Sequence, residues 1–127
     1  MKQNESDIEL LKLAALACGY VINEARQRER ELSGYSHVGL WLDNHTCWNP
    51  LADDGNALSL AVKLKISILF EFDRVIACFG DGDYEYETEY FYDKPKQTDI
   101  AAATRRAIVR AAAAVQIGRQ VKTVVTA

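Results

Sequence analysis

The residues of this chain best suited to bind a metal are Asp43, His45 and Cys47, which stand at alternate positions. Alternate side chains share one face of a continuous β-strand, and all three residue types bind zinc. The run from Asp43 to Thr46, however, is rich in turn-forming residues, which would break that alternation. No further pair of ligands lies at a spacing typical of zinc sites. We interpret this stretch as the tip of a hairpin and expect neither a metal nor a cofactor.

Calcium binding is suggested by Asp81, Asp83 and Glu85, which have the spacing of the first three ligands of an EF-hand loop. That loop also requires glycine at its sixth position and an acidic residue at its twelfth. This chain has Tyr86 and Tyr92 there. The sequence therefore does not predict an EF-hand site.

Catalysis by a serine or cysteine nucleophile requires a nearby base. The two histidines, His37 and His45, stand in no recognisable catalytic motif. Cys47 is close to His45, but a cysteine beside Trp48 is more typical of packing. The glycine turn at residues 80–83 carries two aspartates and no lysine, unlike a phosphate-binding loop. We expect that the protein is not an enzyme.

The most distinctive charged feature is an acidic segment in the second half of the chain. Residues 71–93 hold eight acidic residues and one basic residue, whereas residues 94–127 hold seven basic residues and one acidic residue. On a strand, alternate glutamates would form a row on one face. The candidate partner-binding residues are Asp81, Asp83, Glu85, Glu87, Glu89 and Asp93. The row could bind a basic groove of a protein, or it could simply protect an edge strand from aggregation.

A second candidate surface consists of Arg105, Arg106 and Arg110 near the C-terminus. Arginines one helical turn apart could contact phosphates, but they could equally cover an alanine-rich surface or pair with acidic residues. Because the isoelectric point is near 5.4, we do not expect direct nucleic-acid binding as the main activity. A small-molecule pocket lined by Trp41, Trp48 and the tyrosines of the acidic strand is a further alternative.

Two of three predicted helices have clear end signals. Ser6 and Glu9 form a capping box at the start of the first, and Gly19 stands where a left-handed cap would end it. The last helix is predicted from about Ile100 to Ile117, with Gly118 ending it. We interpret residues 119–127 as a tail that either frays or adds a strand.

The entrance to the remaining helix, which runs to Leu64, concentrates unusual residues. Trp48 is expected to anchor this entrance in the core, and Asp53 or Asp54 to cap the exposed amides. Gly55 has no local explanation unless the backbone there lies close to another group. The candidate functional residues of this entrance are Trp48, Asp53, Asp54 and Gly55. We expect this apolar helix to be largely covered by the rest of the protein.

Strands are predicted from short apolar runs between turn signals. They comprise residues 38–42, 47–48, 68–72, 75–79 and 84–92. Residues 20–37 are predicted as a short strand followed by a charged loop. The continuous apolar runs at 68–72 and 75–79 are typical of central strands covered on both faces. The pattern predicts an α+β fold, in which an antiparallel sheet of about four or five strands packs with three helices in the order α-β-β-α-β-β-β-α.

Length and composition indicate a single domain over residues 1–127. With 49% hydrophobic and 26% charged residues, the chain is expected to fold rather than to be disordered. The three cysteines, Cys18, Cys47 and Cys78, are far apart and odd in number, which favours a reducing compartment. No apolar run approaches the roughly 18 residues of a membrane span. We expect a cytoplasmic protein that does not bind membranes.

Two segments together carry a family resemblance: WNPLADDGNALSLAVKL (Trp48–Leu64) and AAATRRAIVRAAAAV (Ala101–Val115). They resemble segments of small, uncharacterised proteins encoded by tailed phages and prophages, including those with a phage ABA-sandwich domain. The resemblance covers roughly the last two-thirds of the chain. It implies an α+β sandwich, a phage accessory gene and a location in the host cytoplasm, and it provides no catalytic residues.

We therefore predict a non-enzymatic phage accessory protein that acts by protein–protein interaction, as a homo-oligomer or by binding a host protein. A specific version is an anti-defence role, in which the acidic strand inhibits a host defence protein or a nucleic-acid-handling protein. Small-molecule binding and nucleic-acid binding through the arginines are the alternatives.

Overall fold

The computed structural model describes residues 6–34, 39–80, 85–90 and 99–126, and the side chains within 6–34, 39–80 and 99–121. Over these residues the fold is α+β, as predicted. The helices are α1 (Asp7–Cys18), α2 (Glu24–Leu32), α3 (Asp54–Leu64) and α4 (Ile100–Thr126). The strands are β1 (Leu40–Trp41), β2 (Cys47–Trp48), β3 (Ser67–Phe70), β4 (Arg74–Phe79) and β5 (Glu85–Tyr90).

The strands form two separate antiparallel sheets rather than one. β1 pairs with β2 in a hairpin that aligns Leu40 with Trp48, and β3, β4 and β5 form a meander in that order. The predicted single sheet of four or five strands is therefore wrong. The first sheet stays small because turn residues follow Leu42 and because Pro50, which has no amide hydrogen, comes soon after β2. An isolated bridge between Ile22 and Leu42 is its only extension within the described residues.

Residues 24–32 form α2, where a charged loop was predicted. Asn23 caps this helix by accepting a hydrogen bond from the Arg26 amide at 3.1 Å. The side chain of Gln27, only 1% exposed, accepts a hydrogen bond from the Trp41 amide at 2.7 Å and donates one to Glu31 at 3.0 Å. The helix is therefore fastened to β1 by a tertiary contact, which stabilises it beyond what its local sequence provides.

The helix α4 forms the centre of the fold. It packs against α1, α3, β4 and β5. Four of its buried alanines, Ala103, Ala107, Ala111 and Ala112, are at most 2% exposed, and their small side chains allow the neighbouring backbones to approach closely. The prediction that α4 ends at Gly118 and that residues 119–127 form a tail is wrong, because the helix continues to Thr126. Beyond Gly118, the Arg119 side chain donates to the Ala17 carbonyl at 3.0 Å and so ties this part of α4 to the end of α1.

The sheet of β3, β4 and β5 is covered unevenly. Val75 and Ala77 of β4 are fully buried, whereas Leu69 and Phe70 of β3 are more than half exposed. The prediction that both strands are covered on both faces is therefore wrong for β3, which lies at one edge of its sheet. On α3, Leu58 and Val62 are also more than half exposed, so the prediction of a largely covered helix holds for only one of its faces. Of these exposed residues, Leu58 and Phe70 belong to the candidate site described below.

Candidate functional site

The entrance to α3 is explained by contacts within the chain. Trp48 is 4% exposed and packs edge-to-face against Tyr20, with ring centroids 5.3 Å apart, which confirms its predicted anchoring role. Asp53 is the cap, and its carboxylate accepts a hydrogen bond from the Asn56 amide at 2.7 Å. A Cβ atom at Gly55 would lie 3.2 Å from that carboxylate, so glycine leaves room for the cap. Three of the four candidate residues thus have structural roles.

The fourth entrance residue, Asp54, pairs with one of the candidate arginines. Arg105 donates from Nη1 to Asp54 Oδ1 at 2.7 Å and from Nε to the Leu51 carbonyl at 2.8 Å. Arg106 donates to both carboxylate oxygens of Asp7, at 3.1 and 3.2 Å. Asp54 and Asp7 lie in the first turns of α3 and α1, where the helix dipole favours negative charge. Arg105 and Arg106 therefore connect α4 to two helix starts, while Arg110 lies half-buried farther along α4.

Replacing Arg105 by methionine is expected to lower the free energy of unfolding by about 1–3 kcal/mol, because it leaves the Leu51 carbonyl and Asp54 without a charged donor. The side chain of Arg105 is 17% exposed but that of Asp54 is 79% exposed, so solvent screens their ion pair and the part-buried hydrogen bond to the Leu51 carbonyl accounts for most of the loss. The matched Arg106→Met variant removes hydrogen bonds to the Asp7 carboxylate, which is 62% exposed, and should cost less than about 1 kcal/mol. Urea unfolding followed by circular dichroism measures both. Equal losses in the two variants would contradict this assignment.

The acidic candidates lie only partly within the described residues. Asp81, Asp83 and Asp93 lie outside them, and Glu85, Glu87 and Glu89 belong to β5. The register aligns Glu89 with Val75, Glu87 with Ala77 and Glu85 with Phe79. Residues opposed in an antiparallel pair share a face of the sheet, and Val75 and Ala77 belong to the buried face of β4. The acidic face stays a prediction.

The candidate metal-binding residues and the two tryptophans of the predicted pocket do not come together in one site. Asp43, His45 and Cys47 lie on and beside the hairpin turn, where His45 has a positive φ of 66°, and no group of three metal-binding side chains forms within the described residues. The guanidinium carbons of Arg26 and Arg30 lie 5.3 and 5.2 Å from the centre of the Trp41 ring. The hairpin register places Trp41 and Trp48 on opposite faces, so they do not line one pocket as predicted.

Two titratable groups are perturbed by their surroundings. Burial raises the pKa of the Cys18 thiol, and Lys63 and Arg119 offset this only in part, so the thiol is a weaker nucleophile at neutral pH. The hydrogen bond from Gln27, together with Lys12, holds the pKa of the Glu31 carboxyl below its usual range. Glu31 also forms an ion pair with Lys12 at 3.2 Å. Cys18 packs against the core, and Glu31 connects α2 to α1 through Lys12.

One apolar concavity was not predicted from the sequence. A groove of about 480 Å³ lies between α3 and β3, with the first turns of α4 as its floor. We call it the α3–β3 groove. It is lined by Asp54, Ala57, Leu58, Ile68, Phe70, Ile100, Ala101, Thr104, Arg105 and Ile108. Leu58, Phe70 and Ile100 are each more than half exposed in it. The apolar residues of α3 and β3 can be seen in the sequence, but their pattern predicts that the rest of the protein covers them.

The groove runs beside an open strand edge. The Glu71 amide donates to the Arg74 carbonyl at 2.8 Å across the β3–β4 turn. Hydrogen-bonded pairs alternate along an antiparallel ladder, so Leu69 and Ser67 also bond to β4. The N–H and C=O groups of Ile68 and Phe70 therefore point away from β4, and no described residue pairs with them. An extended segment could add to this edge and cover the apolar groove.

Comparison with known proteins produced no match: no family model, curated protein or solved structure is similar to this chain. The resemblance to phage ABA-sandwich proteins therefore stays a prediction. Within the residues that the structure describes, no helix combines the length and apolar character that crossing a membrane would require.

Proposed function

We propose that the protein is a non-enzymatic interaction module that accepts an extended segment of a protein partner in the α3–β3 groove. The segment would add to β3 as a further strand. The observation that carries this proposal is the open edge of Ile68 and Phe70 beside exposed apolar side chains. Strand addition is a common mode of protein recognition, in which backbone hydrogen bonds provide affinity and alternate side chains provide specificity.

The energetics favour an apolar, extended ligand. Covering the exposed parts of Leu58, Phe70 and Ile100 would contribute roughly 1 kcal/mol each, about half of the value for complete burial. Each backbone hydrogen bond to the β3 edge would add about 0.5–1.5 kcal/mol. A partner segment with alternating apolar side chains would satisfy both requirements, because one of its faces would lie on the groove.

The polar groups of the groove argue against a small molecule as the ligand. Small-molecule sites usually hold a few polar groups that are free to orient the ligand. Here the Asp54 carboxylate and the Arg105 guanidinium bind each other at 2.7 Å, at the wall and floor of the groove. The groove therefore offers apolar contact and a strand edge rather than polar recognition. On the resemblance of Trp48–Leu64 and Ala101–Val115, we further propose that this module belongs to a phage accessory protein acting in the host cytoplasm.

Site-specific cross-linking tests the proposal. A photoreactive phenylalanine analogue at Leu58 is expected to capture a partner in bacterial cells, and the same analogue at Leu32 is not. Leu32 is 83% exposed and lies at the end of α2, outside the groove, so it is a matched control. Mass spectrometry of the cross-linked peptide should identify a segment with alternating apolar residues.

A substitution at the groove provides the second arm of this test. Phe70→Glu should reduce capture at Leu58 by at least about tenfold, because a charge would lie where an apolar side chain packs. Leu32→Glu should leave capture unchanged. Circular dichroism must show that both variants are folded. Capture that is equal at the two positions, or that survives Phe70→Glu in the folded protein, would rule out the groove as the binding surface.

A further inference from the structure

We infer that the segment accepted by the groove is β3 of a second copy of this chain. Two chains would pair β3 with β3 in antiparallel orientation, about a two-fold axis through Leu69. This inference rests on the proposed function, because it uses the same strand edge and the same groove. The two three-stranded sheets would then form one continuous sheet across the dimer.

The free backbone groups of β3 are self-complementary. An axis through Leu69 places Ile68 opposite Phe70 of the second copy, and Phe70 opposite its Ile68. In each chain these are the two residues whose N–H and C=O groups point away from β4. Every one of these groups then finds a partner, which gives about four hydrogen bonds between the chains. Pairing therefore removes the open edge that a monomer leaves in solvent.

The side chains of β3 match in the same register. Ile68 and Phe70 both line the α3–β3 groove, so they share one face of the strand. Pairing about Leu69 keeps Ile68 and Phe70 of the second copy on that face, where they would cover Leu58 of α3. A shift of one residue would move them to the other face and expose them. Leu69, which is 53% exposed, would meet Leu69 of the second copy on the opposite face.

Glu71, which follows β3, favours the antiparallel orientation. Antiparallel pairing about Leu69 places Ser67 opposite Glu71 of the second copy, so like charges do not face each other along the paired residues. Glu71 already contacts Arg74 of its own chain at 3.0 Å. A parallel, in-register arrangement would instead bring Glu71 beside Glu71 of the second copy, which is unfavourable.

Sedimentation velocity of the full chain tests the inference directly. We expect the wild-type protein to sediment as a dimer at micromolar concentrations. Phe70→Glu should weaken dimerisation by at least about tenfold, and Leu32→Glu should leave it unchanged. Hydrogen exchange provides a measurement on the unaltered protein, in which the amides of Ile68 and Phe70 should become protected as the concentration rises. A wild-type chain that stays monomeric up to about 1 mM, with both amides unprotected, overturns the inference.

A disulfide tests the register. In a Cys47→Ser background, Leu69→Cys should form a disulfide between chains under mild oxidation. Residues facing each other across this axis form a non-hydrogen-bonded pair with Cα atoms about 4.5 Å apart, within disulfide range. Leu32→Cys in the same background is the control, because that exposed residue at the end of α2 lies outside the groove. Equal cross-linking of the two variants would overturn the proposed axis.

The two proposals fail separately. A monomeric chain whose groove still captures a different protein at Leu58, in a manner lost with Phe70→Glu, overturns the second-copy inference and leaves the proposed function standing. A dimer that forms equally well in the folded Phe70→Glu variant overturns the second-copy inference alone, whereas capture at Leu58 that survives Phe70→Glu overturns both.

Discussion

Replacing Gly39 by alanine is expected to lower the free energy of unfolding by about 2–4 kcal/mol. Gly39 has a φ of +102°, a conformation that residues with a side chain rarely adopt. A Cβ atom there would lie 2.7 Å from the Trp48 carbonyl oxygen and 2.8 Å from the Asn49 Cβ. Strain and steric overlap therefore act together, and the obstructing atoms are backbone or close to it. Neither side of the β1–β2 hairpin can move away without losing its pairing.

Urea unfolding of three glycine variants separates these two contributions. Gly19→Ala adds only strain, since φ is +81° and no atom lies within 4 Å of its new Cβ, so it should cost about 1–2 kcal/mol. Gly118→Ala lies inside α4 with open space around it, and it should stabilise the protein by up to about 1 kcal/mol. A loss at Gly39 no larger than that at Gly19 would show that the close approach to Trp48 costs nothing.

Truncating Trp48 to alanine is expected to cost about 3–5 kcal/mol, the largest effect among these substitutions. The indole is almost completely buried, packs edge-to-face on Tyr20, and fixes the entrance of α3 to the core. Its removal would leave a cavity that the short β1–β2 hairpin cannot close. The variant is expected to lose part of its near-ultraviolet circular dichroism along with its stability.

Trp41 provides the matched control. It is half-buried, and the guanidinium groups of Arg26 and Arg30 lie over its ring at 5.3 and 5.2 Å. Trp41→Ala removes these cation–π contacts and part of a solvent-facing surface, so we expect a loss of about 1–2 kcal/mol. Both values can be measured by denaturant titration at the same pH. The assignment of Trp48 as the anchor would be wrong if Trp41→Ala were the more destabilising change.

Features that depend on neighbouring residues in the sequence were predictable. The capping box of Ser6 and Glu9 and the cap at Asp53 use side chains three positions from the amides they bind, and the left-handed cap at Gly19 uses its backbone N–H, three or four positions from the carbonyls that accept it. Such contacts follow from residue type and spacing alone. The hairpin between β1 and β2 was predicted on the same basis, from the turn residues between Leu42 and Cys47.

Features that depend on distant residues were not predictable. Arg105 and Asp54 are 51 positions apart, so nothing in the sequence identifies one as the partner of the other. The helix α2 depends on the contact between Gln27 and Trp41, across 14 positions. Gly39 has its role because a separate strand passes beside it. The sequence shows that these residues are polar, charged or flexible, but their partners come from the fold.

The candidate site was missed for a different physical reason. A run of apolar residues on β3 indicates that its surface avoids water, but it does not say what covers that surface. Coverage by the rest of the same chain and coverage by another chain produce the same pattern. Phe70 and Leu58 were therefore predicted as core residues, and the structure leaves both exposed beside an open strand edge.

The central position of α4 has a consequence for how this chain is made. α4 is the principal packing partner of α1, although α1 is synthesised before, and α4 after, all the strands described in both sheets. The apolar face of α1 therefore lacks its packing partner until the ribosome has produced the intervening residues and α4. Contacts between such distant segments slow folding and leave apolar surface exposed to aggregation in the meantime. We therefore expect this chain to be most prone to aggregation just before Ile100 to Thr126 emerge.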